Sequence, residues 1–157
     1  MPAIQLTVRP YHATDLDAVI AIFLGSVRQI AARDYNEAQI DAWARVDRDK
    51  WAARRLSRPT WVAAIGERPV GFTDLEPQGH LDMMYVHPAH QRVGVATALL
   101  RKAEAAAAER GLSRIFTEAS ITALGFFERH GFRAVTAQLV DIGGQTLTNF
   151  RMEKPLT

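Results

Sequence analysis

Residues 81–111, LDMMYVHPAHQRVGVATALLRKAEAAAAERG, decide how the whole chain is read. An apolar run ending at Val86 passes through HPAHQRV into an alanine-rich amphipathic segment. The pattern is a strand, a loop and a helix running from about Gly94 to Arg110, with Gly111 at its C-terminal cap. Helix N-termini leave main-chain N–H groups unpaired and carry partial positive charge, so such a start can hold an anion. Small residues at Gly94 and Ala96 let a ligand approach the main chain, and Gln91 and Arg92 offer side-chain donors. The Walker spacing of two glycines followed by Lys and Ser or Thr is absent, which excludes an ordinary nucleoside-triphosphate loop.

Outward from this segment, short strands and helices follow one another. Ile4 to Arg9 alternates apolar and polar residues and forms a first strand. Thr14 and Asp17 have capping-box spacing, and Leu16, Ile20, Phe23, Leu24, Val27 and Ile30 then recur at helical intervals. Asn36 is placed to cap a second, short helix. The basic stretch 45–58 is expected to be helical up to Pro59, with its charges on a solvated face. TWVAAIG, PVGFTDLEP and GHLDMMYVHP are then expected as three strands, punctuated by Gly66, Pro69, Pro77 and Gly79. RIFTEA (114–119) is another strand and 121–130 a short helix closed by Gly131. Two tail strands meet at Gly143-Gly144 in a tight hairpin. The order βααβββαβαββ, in a single domain over 1–157, is an α+β (mixed α/β) layout.

Composition narrows the function classes. The chain has 157 residues, 48% of them hydrophobic, so it can bury a sizeable core. Nineteen Lys and Arg against 17 Asp and Glu leave a formal charge of +2, which gives little support to nucleic-acid binding, and no nucleic-acid partner is expected. No cysteine is present, which removes disulfides, thiolate metal sites and cysteine nucleophiles. His87 and His90 bracket a proline but lack a third ligand, so no metal is expected. No signal peptide or membrane-length apolar run is visible, and a cytoplasmic location is expected.

The spacing Q-x-x-G-x-A at Gln91, Gly94 and Ala96 resembles the signature of the GNAT superfamily of N-acetyltransferases. The Val86-His87-Pro88 turn, the double Leu at 99–100 and FFERHGF (126–132) extend the likeness, and the order of elements matches from end to end. The resemblance implies a largely antiparallel twisted sheet that splays beside RIFTEA, and acetyl-CoA as acyl donor. It places the pyrophosphate on the amides of Gln91, Arg92, Val93, Gly94, Val95, Ala96 and Thr97, and the pantetheine arm along Met84, Tyr85 and Val86. An amide near Met84 or Tyr85 is then set to polarise the thioester carbonyl. Two departures stand out. The family commonly has Gly and then a basic residue where Arg92 and Val93 stand. Its usual proton-donating tyrosine falls on Phe127, and its asparagine on Ser120.

Acyl transfer to an amine needs a free amine, hence a base or relay, and a route to reprotonate the thiolate. His80 and Asp82 lie six and four residues before Val86 and share its face if the strand is continuous. A carboxylate beside Met83 and Met84 is expected to be desolvated, while His80 needs little tuning. Glu118 is the reserve base. Tyr85, Tyr35, Ser120 and water are the alternatives for the acid. Tyr35, Trp43, Phe72 and Asp74 are the candidate lining of an acceptor pocket for a small-molecule or peptide amine. The tail strands offer an edge for pairing between two chains in a homodimer.

Overall fold

The computed structural model describes residues 5–156. Strand β1 (Leu6–Pro10) leads through a short 3-10 turn into helix α1 (Leu16–Gln29). Ile4, where this strand was expected to begin, lies outside the described residues. Asp15, rather than the Thr14–Asp17 pair, caps the entry: its Oδ2 accepts the His12 N–H at 2.9 Å, and its carboxylate also holds Arg9. Helix α2 (Glu37–Trp43) starts at Asn36 as expected. Asn36 accepts the Gln39 N–H and Gln39 Oε1 accepts the Asn36 N–H, both at 2.8 Å.

Helix α3 (Arg48–Ser57) carries the basic stretch, but it is not simply a solvated face. Arg55 is 1% exposed and Arg58 is largely covered. After α3, β2 (Thr60–Ile65) and β3 (Arg68–Asp74) pair antiparallel with each other, and β2 with β1.

The single strand expected in GHLDMMYVHP (79–88) is two strands, and with α3 counted as a third helix the expected order βααβββαβαββ becomes βαααββββαβαββ. β4 (His80–Leu81) pairs parallel with β6 (Arg114–Ser120), whereas β5 (Met84–Val86) pairs antiparallel with β3. The result is two four-stranded sheets, β1-β2-β3-β5 and β4-β6-β8-β7, where β7 is Arg133–Ile142 and β8 is Gln145–Pro155. The break at Asp82-Met83 is held by hydrogen bonds from three sides. Asp74 Oδ1 accepts the N–H groups of Asp82 and Met83 at 3.0 and 2.9 Å. Thr73 donates to the Met83 carbonyl and Thr117 to the Leu81 carbonyl. Beyond it, β5 and β6 part and leave a cleft.

Helices flank both faces of the sheet. α1 buries Val19, Ile22, Phe23 and Val27 with Val62, Phe72 and Trp51. The neighbour of Val62, Ala63, points to the other face and packs with Val95 and Leu99 of α4 (Val95–Glu109). Gly71 makes that contact close: a Cβ there would lie 2.8 Å from Val95 Cγ1 and 3.1 Å from Leu99 Cδ1. Helix α5 (Leu124–Arg129) closes the second core through Phe127, with Phe132 from the turn before β7. Among the described residues, no helix is long and apolar enough to cross a membrane.

Candidate active site

The parted strands open onto a cavity of about 560 Å³, into which the start of α4 projects. Gly94 sits at this N-terminus with φ 88°, a left-handed conformation that favours glycine, and open space lies where its Cβ would be. No side chain caps the helix, and its first turn holds no acidic residue. Arg33, Arg92 and Arg129 line the cavity, and among the described residues no carboxylate does. Uncapped amides, aligned dipoles and three guanidiniums suit a polyanionic group. Of the residues expected to hold the donor, Met84, Tyr85, Val86, Gln91, Arg92, Gly94, Val95, Ala96, Thr97, Ser120 and Phe127 all line this cavity. Val93 stands outside the lining and is 53% exposed.

Side chains in the loop have local tasks. The Gln91 Nε2 donates to the carbonyls of Val86 and His87, so this side chain braces the turn. Arg92 takes φ 63° in the left-handed region, the position where the family commonly has glycine. Main-chain direction along β5 follows from two contacts. His87 N–H donates to Val70 O and Met83 O accepts from Asp74 N–H, so 83, 85 and 87 face β3. The N–H groups of Met84 and Val86 therefore face the open side.

A second cavity of about 240 Å³ adjoins the first, and Trp43, Tyr85 and Ser120 line both. Asp82, Glu118 and Tyr35 line the second one, with Leu147 and Asn149 from β8. The expected acceptor residues thus divide. Tyr35 and Trp43 come together as a T-shaped pair 5.5 Å apart. Phe72 and Asp74 do not reach either cavity: both are completely buried. Phe72 packs beneath Trp51 and Tyr85, and Asp74 faces Arg55 at 3.2 Å.

The candidate acids and bases also separate. His80 spends both ring nitrogens, Nδ1 on Glu76 at 2.7 Å and Nε2 on Glu118 at 2.8 Å. Burial alone would lower its pKa, but the hydrogen bonds to Glu118 and Glu76 and the surrounding carboxylates overcome it and bring the group up to about 9. His80 is therefore an imidazolium at neutral pH, outside both cavities, and positions Glu118. Asp82 is exposed and 3.3 Å from Arg58, so the desolvated setting expected beside Met83 and Met84 does not occur. Tyr35 donates to Thr148 O at 2.6 Å and accepts from Ile121 N–H at 2.9 Å, which leaves no free proton. Burial pushes the Tyr85 phenol well up, against a smaller opposing effect of the Trp43 indole, so it stays protonated. Ser120 Oγ accepts the Ala123 N–H. Phe127 is buried in the second core while one side borders the larger cavity.

Arg129 and His130 line the larger cavity but are not among the site residues expected from the sequence, although both lie within FFERHGF (126–132). His130 Nε2 lies 3.1 Å from Thr97 Oγ1 and its Nδ1 2.8 Å from Phe126 O, tying α5 to the start of α4. Arg33 and Asn149 carry no local signal, since only the fold brings them to the cavities.

Comparison with known proteins agrees with this architecture. The family model described as an acetyltransferase (GNAT) domain matches residues 31–154. YafP of Escherichia coli (strain K12), described as an uncharacterized N-acetyltransferase, is 38% identical over 151 residues, covering 94% of this chain and 95% of that protein. A GCN5-related N-acetyltransferase crystal structure from Rhodopseudomonas palustris superposes with a TM-score of 0.94 at 36% identity, covering 99% of each chain. The PaiA N-acetyltransferase of Thermoplasma acidophilum, solved with coenzyme A, has the same fold at 21% identity. Its TM-score is 0.75, over 97% of this chain and 99% of that one.

Proposed function

Because the chain belongs to the GNAT family of acetyltransferases, we propose that it transfers an acetyl group from acetyl-CoA to a primary amine, directly and within a ternary complex. The observation that carries this is the junction of the two cavities. A basic, carboxylate-free cavity at an uncapped helix start meets a smaller one bordered by Asp82 and Glu118. Acetyl-CoA supplies the activated acyl group when bound. The amides from Gly94 to Thr97 and the three arginines hold its phosphates, while Met84 N–H polarises the thioester carbonyl.

On the acceptor side, Asp82 and Glu118 attract the protonated amine, and one of them takes its proton through water. Tyr85, a phenol that lines both cavities, returns a proton to the leaving thiolate in place of the tyrosine that Phe127 replaces. Absence of cysteine disfavours a covalent acyl carrier, in keeping with direct transfer. The acceptor is a small molecule or an exposed peptide amine. A second copy pairs along β7, an edge strand on which Val135 and Leu139 are 54% and 73% exposed. Sedimentation that gives a monomer for both the parent and Leu139→Lys would remove that part of the proposal.

The test is initial-rate kinetics of thiol release across a panel of primary amines. Double-reciprocal lines that intersect support direct transfer, and parallel lines contradict it. Tyr85→Phe should lower kcat about tenfold or more with little change in the KM for acetyl-CoA. Asp82→Ala combined with Glu118→Gln should raise the amine KM. Phe127 favours a second reading, a regulator that binds acetyl-CoA without turnover. Binding of CoA with no thiol release on any amine is the result that selects it.

A further inference from the structure

His130 lines the larger cavity beside the start of α4, and its two ring nitrogens have unequal partners. The Phe126 carbonyl, 2.8 Å from Nδ1, can only accept, so Nδ1 carries a proton whether the ring is neutral or charged. Nε2 lies 3.1 Å from the Thr97 hydroxyl, a group that can donate or accept. The Phe126 ring packs against the imidazole with centroids 4.3 Å apart and helps to hold this orientation.

The state of Nε2 therefore decides where the Thr97 proton points. A neutral ring accepts that proton and leaves the hydroxyl nothing to give the cavity. An imidazolium donates to Oγ1 instead, and the hydroxyl proton is free for another acceptor. Thr97 is the third residue of α4, in the turn that no side chain caps. Charged groups around the cavity have one sign: Arg33 from the turn after α1, Arg92 from the loop and Arg129 from α5. His90 and Tyr85 are the other ionisable groups of the lining. The carboxylates of the two adjoining helices lie outside it: Glu104 of α4 holds Lys154 at 3.0 Å, and Glu128 of α5 is exposed. No fixed anion of the lining holds a proton on Nε2, and a bound pyrophosphate would bring one.

Resting on the transferase reading, we propose that His130 acts through Thr97 as a positioning residue that couples pyrophosphate binding to the uptake of one proton. As the pyrophosphate enters, Nε2 takes a proton from solvent and donates to Oγ1, and the Thr97 hydroxyl donates to a phosphate oxygen. Departure of CoA returns the proton. Affinity for the donor thus rises as the pH falls through the histidine range.

The probe is dephospho-CoA, which keeps the pyrophosphate and lacks the phosphomonoester that would itself titrate near neutrality. Calorimetry in two buffers of different ionisation enthalpy, at about pH 7, should give an uptake of about half a proton per molecule bound. His130→Gln should abolish the uptake and flatten the dependence of affinity on pH between about pH 6 and about pH 8. Thr97→Val removes the hydroxyl and leaves the ring its bond to Phe126. At about pH 6 each change should raise the Kd about fivefold, and the two together no more than either alone. Losses that multiply, or an uptake that His130→Gln leaves in place, would overturn the proposal. If the parent binds CoA but takes up no proton with dephospho-CoA, the proposal fails and the transferase reading stands. If it binds neither, both fail.

Discussion

His80 joins carboxylates from two parts of the fold, Glu76 after β3 and Glu118 on β6, and stacks on Phe116 with ring centroids 5.0 Å apart. Its pKa is raised from an unfolded value near 6.5 to about 9 in the folded chain. The stabilisation is then fully present below about pH 6.5 and is lost as the pH rises through about 9, a contribution on the order of 3 kcal/mol. Urea unfolding at pH 6 and pH 9.5 should show this loss, and His80→Gln should flatten it. At Arg92 the left-handed backbone costs a non-glycine residue about 1–2 kcal/mol. Arg92→Gly should therefore be more stable than Arg92→Ala by about 1 kcal/mol, while both weaken acetyl-CoA binding alike by removing the guanidinium. Equal stability of the two variants would mean that the loop carries no strain there.

At the scale of elements, the decisive feature is the interruption between β4 and β5. Asp74 makes it by binding two successive amides with one oxygen while its other oxygen faces Arg55. Burial lowers the Arg55 pKa and raises that of Asp74, opposed in each case by the partner's charge. Asp74→Asn keeps an acceptor for the amides but strands a guanidinium that is completely buried. Urea denaturation should show a loss of about 3–5 kcal/mol, largely recovered when Arg55→Met is added. A loss that the second change does not relieve would point to the amide contacts instead. The hydrophobic period correctly located β5 and α4, but not the break. The pattern of alternation in GHLDMMYVHP gives no sign of it, because the cause is a carboxylate on the neighbouring strand.

For the whole molecule, the two sheets meet through β4–β6 and diverge at β5, so a donor lying in the cleft bridges both halves. Binding to the folded state alone should raise the unfolding free energy by about 2.7 kcal/mol when free CoA is 100 times its Kd. Thermal or urea unfolding with and without CoA measures it, and an unshifted midpoint would contradict the cradle. The wall of the larger cavity around 84–97 was legible in the sequence by itself, because strand, turn, left-handed glycine and helix start are contiguous and their physics is local. The smaller cavity was decided by tertiary structure alone. Trp43, Asp82, Glu118 and Asn149 come from α2, the β4–β5 break, β6 and β8, and nothing local marks them as neighbours. The same holds for charge. Whether a histidine is a base or a fixed cation, and whether an aspartate lines a pocket or holds a sheet open, depends on partners distant in the chain and on burial. Composition cannot supply either.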